Sequence, residues 1–304
     1  MILSVSRRTD VPCCFPAWFM GRVRAGYALG RNPMNPAQVS RVPISPETVD
    51  CIVFWTKDPA PLLPYLDELD GRGYSYCFQF TLTPYGREIE PGLRDKGAIL
   101  DTFLALSRRL GKARMLWRYD PILLGQGISP AWHEAEFLRL CRALSGAAEQ
   151  VTISFVDAYP ARPPAAWRAP SAEEQAALAA YIGSTAAAYG IPPAACCEQG
   201  DFTPFGVRRA SCIDRDVLER VCGAPLSLGP AKGQRPGCGC CESVDIGAYN
   251  TCRNGCIYCY ANRTSLRPPH DPDSPFLAGG PLPADTIRAR PCRSNKKLQT
   301  SLFE

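Results

Sequence analysis

Histidine is nearly absent: the 304 residues hold two, His133 and His270. Neither stands near the end of a β-rich run, which argues against a histidine-built hydrolytic zinc site and against a Ser/His/Asp triad. No apolar run approaches the about 18 residues of a membrane-spanning helix, so no membrane partner is expected. No G-x-G-x-x-G or P-loop pattern follows any β-rich run, which removes two common backbone cradles for nucleotide phosphates. The opening residues, MILSVSRRTD, put charge where a secretory signal needs an apolar core. A cytoplasmic location is the expectation.

Cysteine, by contrast, is abundant. Of 16 cysteines, ten lie between Cys196 and Cys259. In a reducing compartment such density points to metal rather than to disulfides. The most ordered stretch is Cys252-Arg253-Asn254-Gly255-Cys256-Ile257-Tyr258-Cys259, which reads C-x3-C-x2-C. Three thiolates so spaced can hold three irons of a [4Fe–4S] cluster and leave the fourth iron open to a small molecule. A zinc knot that borrows a fourth ligand from elsewhere is the alternative.

Upstream, short β-rich runs alternate with helical stretches. The runs are 2–6, 51–55, 76–82, 113–117, 151–156 and a weaker one at about 191–197. The helical candidates are 15–26, 60–71, 95–110, 131–147 and 172–189, with apolar residues such as Phe137, Leu140, Cys141 and Leu144 on one face. Ser129 and Ser171 look like helix starts. The alternation predicts an α/β fold with a parallel sheet: a TIM-like partial (βα)6 barrel, or a full barrel with degenerate strands, over residues 1–195. In such folds the C-terminal strand ends carry the site. There the sequence places Arg8, Asp10, Lys57, Gln79, Thr81, Arg118, Asp120 and Asp157. Each singly can be a helix cap or an ion-pair partner, but polar groups after five successive strands suggest a shared site.

From about residue 196 glycine, proline and cysteine take over, and 196–265 reads as a metal-cluster segment with one helix near 213–223. Cys238-Gly239-Cys240 is compact, and its glycine lets the backbone fold around a metal. A second site can take Cys238, Cys240, Cys212 and one of Cys196 or Cys197, as an iron–sulfur cluster or as zinc. Cys13, Cys14, Cys51, Cys77 and Cys141 read as buried small residues. Residues 266–304 form a Pro-rich, basic, extended tail.

The C-x3-C-x2-C run, with Tyr258 before its last cysteine and Tyr260-Ala261-Asn262 after it, resembles the cluster motif of radical S-adenosylmethionine enzymes. Together with Trp117-Arg118-Tyr119-Asp120-Pro121 it is most similar to the spore photoproduct lyase branch. The resemblance implies a (βα)6 partial barrel with a [4Fe–4S] cluster on Cys252, Cys256 and Cys259. It further implies that S-adenosylmethionine binds the open iron and is cleaved to a radical that abstracts hydrogen from substrate. Arg118, Lys57, Asp120 and Asp10 would be catalytic, and Arg8, Gln79, Thr81 and Tyr258 would hold the cofactor. In that superfamily the motif follows the first strand, and here it follows all of them. The cysteine segment is therefore expected to fold back over the barrel mouth, near Arg8, Lys57 and Arg118. The usual Gly-Gly-Glu segment is not recognisable.

The whole chain also resembles a bacterial family known only as a domain of unknown function. The shared segments are Ser6-Arg7-Arg8-Thr9-Asp10, Phe54-Trp55-Thr56-Lys57, Gln79-Phe80-Thr81-Leu82-Thr83, Arg118-Tyr119-Asp120-Pro121 and Cys238-Gly239-Cys240. That resemblance favours Cys197 and Cys212 as ligands of the second site, beside Cys238 and Cys240. The end of the chain, Gln299 to Glu304, resembles the peptide that repair and replication proteins insert into the sliding clamp, with Gln299, Leu302 and Phe303 as anchors. With a net charge of +5, DNA is a further expected partner, and a nucleic-acid lesion or modified base the expected substrate class. The other function class is non-enzymatic: a barrel stabilised by zinc or iron–sulfur knots that binds DNA or the clamp.

Overall fold

The computed structural model describes residues 1–156, 166–264 and 266–297. The strands, in chain order, are β1 (Ile2–Val5), β2 (Tyr27–Asn32), β3 (Asn35–Pro43), β4 (Cys51–Thr56), β5 (Tyr76–Thr81), β6 (Met115–Ile122), β7 (Gln150–Phe155), β8 (Pro193–Ala195), β9 (Arg208–Arg209), β10 (Val244–Asp245) and β11 (Thr286–Ala289). The α-helices are α1 (Val11–Cys14), α2 (Pro16–Ala25), α3 (Leu66–Gly71), α4 (Lys96–Leu110), α5 (Pro130–Leu144), α6 (Ala172–Ala188) and α7 (Arg215–Cys222). All six expected β-rich runs are strands. The helical stretches are helices too, although Ala60–Tyr65 is a 3-10 turn before α3, where Pro59, Pro61 and Pro64 lack the backbone donors an α-helix needs.

The main sheet has eight strands in the order β10-β1-β4-β5-β6-β7-β8-β9, and every pairing in it is parallel. Side chains alternate between its faces, as the strand repeat of two requires. Ile52 and Phe54 of β4, Tyr76, Phe78 and Phe80 of β5, and Trp117 and Tyr119 of β6 join the largest core, with Phe103, Phe137 and Leu178 from α4, α5 and α6. Phe54 and Phe78 stack at 5.1 Å. Each such buried ring contributes roughly 1.5–3 kcal/mol. Cys51, Val53, Cys77 and Leu116 point the other way, into a second core built with α7 and Cys196, Cys212, Cys240 and Cys241.

Helix starts follow the sequence. Ser129 Oγ accepts from Trp132 N at 3.2 Å. Ser171 and Glu174 form a reciprocal capping box.

Two features had no clear signal. The antiparallel pair β2–β3 carries a register shift near Asn32, and its exposed residues do not alternate cleanly. The residues after Asn262 do not run free of the fold as far as Lys297. Trp18 Nε1 donates to the Ser274 carbonyl at 2.9 Å, β11 pairs with β3, and Asn295 N donates to Asp50 Oδ2 at 2.9 Å. Gln299, Leu302 and Phe303 lie outside the described residues, as does Asp157. No helix among the described residues is long and apolar enough to cross a membrane.

Candidate metal centre

Because the large sheet is parallel, every strand delivers its C-terminal end to one edge. Asp10, Lys57 and the 82–93 loop follow β1, β4 and β5 at that edge, and the Cys252–Cys259 loop is seated on them. Asp10 is the joint. Its Oδ1 accepts from Cys13 N at 3.0 Å, capping α1. Its Oδ2 accepts from Lys57 N at 2.8 Å and from Asn254 Nδ2 at 3.0 Å. The backbone adds two bonds: Gly92 N donates to Asn254 O at 2.9 Å, and Ile257 N to Ile89 O at 3.0 Å. Gly92 permits the approach, because a Cβ there would stand 2.5 Å from Arg253 O and 2.8 Å from Asn254 Cα. Gly255 sits at φ +68° inside the motif, a turn that a side chain would strain. Ile257 and Tyr258 pack on the apolar cluster of Tyr85, Ile89 and Leu123.

A charged network lies behind the loop. Glu90, fully buried, pairs with Lys57 at 2.8 Å, with Lys96, and accepts from the Tyr258 hydroxyl and from Thr83 Oγ1 at 2.9 Å. Burial alone would raise the Glu90 carboxyl, but the two ammonium groups outweigh it and bring it down to about 2. The Lys57 ammonium is held above its usual value against the cost of burial, by Glu90 first and by Cys256 next. Its Nζ is buried, 2.8 Å from Glu90 Oε1 and 5.4 Å from the Tyr258 ring. A buried ammonium whose charge acts on Cys256 suits a site whose thiols are charged. With no metal, burial pushes the Cys256 thiol up to about 12.

The sequence reading of Cys13 and Cys14 as buried small residues is corrected. Both are half-buried and face the motif. Cys13 Sγ donates to Asn254 Oδ1 at 3.4 Å, and Arg253 N donates to Cys14 Sγ at 3.4 Å. The Cys14 thiol also meets that of Cys252. Asp10 precedes α1 directly, so the cap that fixes the helix carries both thiols to the loop. Cys51, Cys77 and Cys141 are buried as expected.

The second set of cysteines assembles on the other face of the sheet. Cys196 and Cys212 have their sulfurs 2.9 Å apart. Cys212 also meets Cys240, Cys197 meets Cys238, and Ile213 N donates to Cys240 Sγ at 3.4 Å. Both Cys196 and Cys197 therefore belong to the group. Cys197 reverses direction with φ +54°, which turns two adjacent thiols toward different partners.

Four of the expected site residues converge here and not on the C-x3-C-x2-C loop. Arg118 Nη1 donates to Cys212 Sγ at 3.1 Å and to Gln79 Oε1 at 3.3 Å. Gln79 Nε2 donates to the Cys212 carbonyl at 2.6 Å. Arg118 pairs with Asp120, and Thr81 Oγ1 donates to Asp120 Oδ1 at 3.5 Å. Among the described residues Arg118 makes no hydrogen bond to the Cys252 loop; its partners are Asp120, Gln79 and Cys212. In β6 its side chain points to the face opposite Trp117 and Tyr119, and that face is the one the 196–241 segment covers. Arg8 reaches the loop only indirectly, with its guanidinium 5.6 Å from the Tyr249 ring.

Sequence reasoning missed Glu90 and Cys14. Glu90 follows no strand directly, and its role arises only when Lys57, Lys96 and Tyr258 meet it. Cys14 had a signal in its adjacency to Cys13, but not one that named a partner.

All 16 cysteines are free thiols. Among the described residues, no three His, Cys, Asp or Glu side chains stand around one point as ligands of a single ion. The donor sets still fit soft metal chemistry, since thiolates select zinc and iron–sulfur clusters, and a cubane spreads its thiolates over separate irons.

The fold and site define a class: a mixed α/β protein whose helix-flanked parallel sheet gathers cysteines at one edge and on one face. The chain belongs to the family described as Domain of unknown function (DUF1848), which matches residues 2–261. No curated protein and no solved structure matches it.

Proposed function

We propose that this protein is an iron–sulfur enzyme of the radical S-adenosylmethionine type that acts on a nucleic-acid lesion or modified base. In this reading the parallel sheet is the wall of a partial (βα) barrel, and Cys252, Cys256 and Cys259 hold a [4Fe–4S] cluster at its mouth. Cys197, Cys212, Cys238 and Cys240 hold a second centre inside. The observation that carries the proposal is the seating of the C-x3-C-x2-C loop on Asp10, Gly92 and Ile89 at the C-terminal edge of the sheet, where barrel enzymes do their chemistry.

When bound, the cluster would supply an open iron for S-adenosylmethionine and an electron for its cleavage. The chain's own residues supply the rest. Asp10 and Asn254 fix the loop, and the close approach of Gly92 excludes water beneath it. Lys57 sets a buried positive charge against Cys256, which favours a charged thiolate and offsets the net negative charge of a thiolate-bound cluster. Glu90 and Tyr258 hold that ammonium in place.

A second reading concerns the inner group alone. Cys212 is in contact with both Cys196 and Cys240, and a thiol group of this kind suits structural zinc as well as a cluster, once the side chains spread around the metal.

The test is anaerobic purification, with iron, sulfide and zinc assayed and the reduced protein incubated with S-adenosylmethionine. Brown protein that forms 5′-deoxyadenosine and methionine supports the reading. Zinc alone overturns it. Iron and sulfide without cleavage leave electron transfer or sensing.

A further inference from the structure

Several exposed arginines of this protein are paired with carboxylates. Arg24 and Arg72 share Glu68, Arg109 takes Asp67 and Asp70, Arg139 takes Glu136, Arg168 takes Glu174, and Arg220 takes Glu149. The arginines beside the Cys252 loop are not, and they stand close to one another. Arg8, Arg253, Arg263 and Arg267 have no carboxylate within ion-pair distance among the described residues, although the chain carries 29 acidic residues. Arg8 and Arg263 stand 5.6 and 5.8 Å from the same Tyr249 ring, so one aromatic ring gathers two like charges. Arg253 lies over Phe15 at 5.2 Å.

Two of these, Arg263 and Arg267, line a defined space, and Arg8 faces Arg263 across the Tyr249 ring. An open cleft of about 420 Å³ is lined by Gly255, Cys256, Asn262, Arg263, Thr264 and Arg267. One wall is therefore the motif itself, and the other is guanidinium with amide and hydroxyl donors. Tyr260, next in the chain after Cys259, exposes 45 % of its surface and donates its hydroxyl to the Arg7 carbonyl at 2.6 Å. Like charges held together with no counter-ion repel one another, and an anionic ligand relieves that cost. A guanidinium fork matches phosphate oxygens in pairs, and several such forks exceed what one carboxylate can use.

We propose that this cleft binds phosphate esters, with Arg8, Arg263 and Arg267 as the phosphate contacts and Cys256 at its inner wall. The inference rests on the proposed function only for the reaction that would follow at that wall. The binding itself needs no metal. Two sources share the chemistry, a free nucleotide and a single strand of nucleic acid. Stacking on aromatic rings beside a basic groove is how proteins hold single strands without reading sequence.

The experiment is fluorescence anisotropy on the full chain with a labelled single-stranded oligodeoxynucleotide, over a salt series and with a nucleoside monophosphate as competitor. For single strands the slope of log K against log salt is about −0.7 per phosphate contacted. Arg8→Gln, Arg263→Gln and Arg267→Gln should each reduce the slope by about that amount, and the triple variant by about 2. Arg139→Gln, whose partner is Glu136, should change nothing. Competition by the monophosphate assigns the site to free nucleotides as well. Its absence assigns the site to strands.

A triple variant that binds like the parent, with an unchanged slope, overturns the proposal. So does absence of binding by the parent to either probe. Arg263 and Arg267 are exposed and bear no structural bonds through their guanidinium groups, so the single variants keep the test valid if the triple variant folds poorly. Metal content measured on the same samples separates the two ideas. Arginine-dependent binding in anaerobically purified protein that holds zinc and no iron would leave the cleft standing while the enzyme reading falls.

Discussion

Asn254 donates its side-chain amide to Asp10 at 3.0 Å across 244 residues of sequence, and this bond closes the C-terminal cysteine loop onto the first strand end. Asp10 Oδ2 is shared with Lys57 N, so three segments meet on one carboxylate. Asn254→Ala should cost about 1–3 kcal/mol, the usual result of leaving a buried polar partner unmatched. Alkylation of Cys252, Cys256 and Cys259 should become faster while the far-ultraviolet circular dichroism stays the same. Gly92→Ala should act similarly through collision with Arg253 O. Unchanged alkylation rates in both variants would show that the loop is held by something else.

Glu90 is the only carboxylate facing both Lys57 and Lys96 in the pairs found among the described residues. Glu90→Gln leaves two largely buried ammonium groups without a counter-ion, and breaking a buried pair in this way costs about 3–5 kcal/mol. Denaturant unfolding reads the loss directly. Adding Lys57→Met to Glu90→Gln should recover part of it, because one of the stranded charges is gone. Failure of the second substitution to recover any stability would contradict the assigned pairing.

Arg118 joins Asp120, Gln79 and Cys212. Arg118→Leu strands Asp120 and removes the positive group beside Cys212. A destabilisation of about 3–5 kcal/mol is expected, together with faster loss of metal from the inner cysteines to a chelator. Metal on the Cys252 loop should be retained. Equal loss from both sites would mean that Arg118 serves the fold in general and not the inner group.

Two groups separate in the acid limb of stability. His133 is fully buried. Its Nε2–H can donate to the Leu123 carbonyl at 2.9 Å while Nδ1 accepts from the Tyr119 hydroxyl at 2.8 Å, and burial lowers it from 6.5 to about 4. Between those pH values the unfolded chain binds a proton that the folded chain refuses, so stability falls as pH drops through that window, by about 3 kcal/mol in all. Glu90, lowered from 4.5 to about 2, adds its loss only below pH 4.5. Unfolding free energies measured from pH 7 to pH 3 should show the first fall vanish in His133→Gln. Asp10, raised by burial from 3.8 to about 6, acts in the opposite direction over part of this window, so the reading is the difference between the parent and His133→Gln, and identical profiles from pH 6.5 to 4.5 would refute the buried neutral histidine.

How much was legible follows the range of the interactions. Strands and helices rest on local repeats, two residues for Cys51–Thr56 and between three and four for Phe137, Leu140, Cys141 and Leu144. Those repeats are written in the order of residues. The spacing of Cys252, Cys256 and Cys259 is local as well, so the motif declared itself without a fold. Ser171 with Glu174, a cap closed within four residues, did the same.

What only tertiary structure decided is which distant groups meet. Arg118, Gln79, Thr81 and Asp120 were expected at the sheet edge with Lys57, and strand alternation sets them on the face that Cys196, Cys212 and Cys240 cover, with Asp120 still close enough to act on the Lys57 ammonium. Glu90 carries no local mark and Cys14 only its adjacency to Cys13, because their partners Tyr258 and Cys252 arrive from the far end of the chain. The sheet topology brings them there, and the carboxylate of Asp10 and the bare backbone of Gly92 let them stay. Composition determined that this protein would gather thiols. Pairing across the sheet determined that it gathers them in two places, and which charges stand behind each.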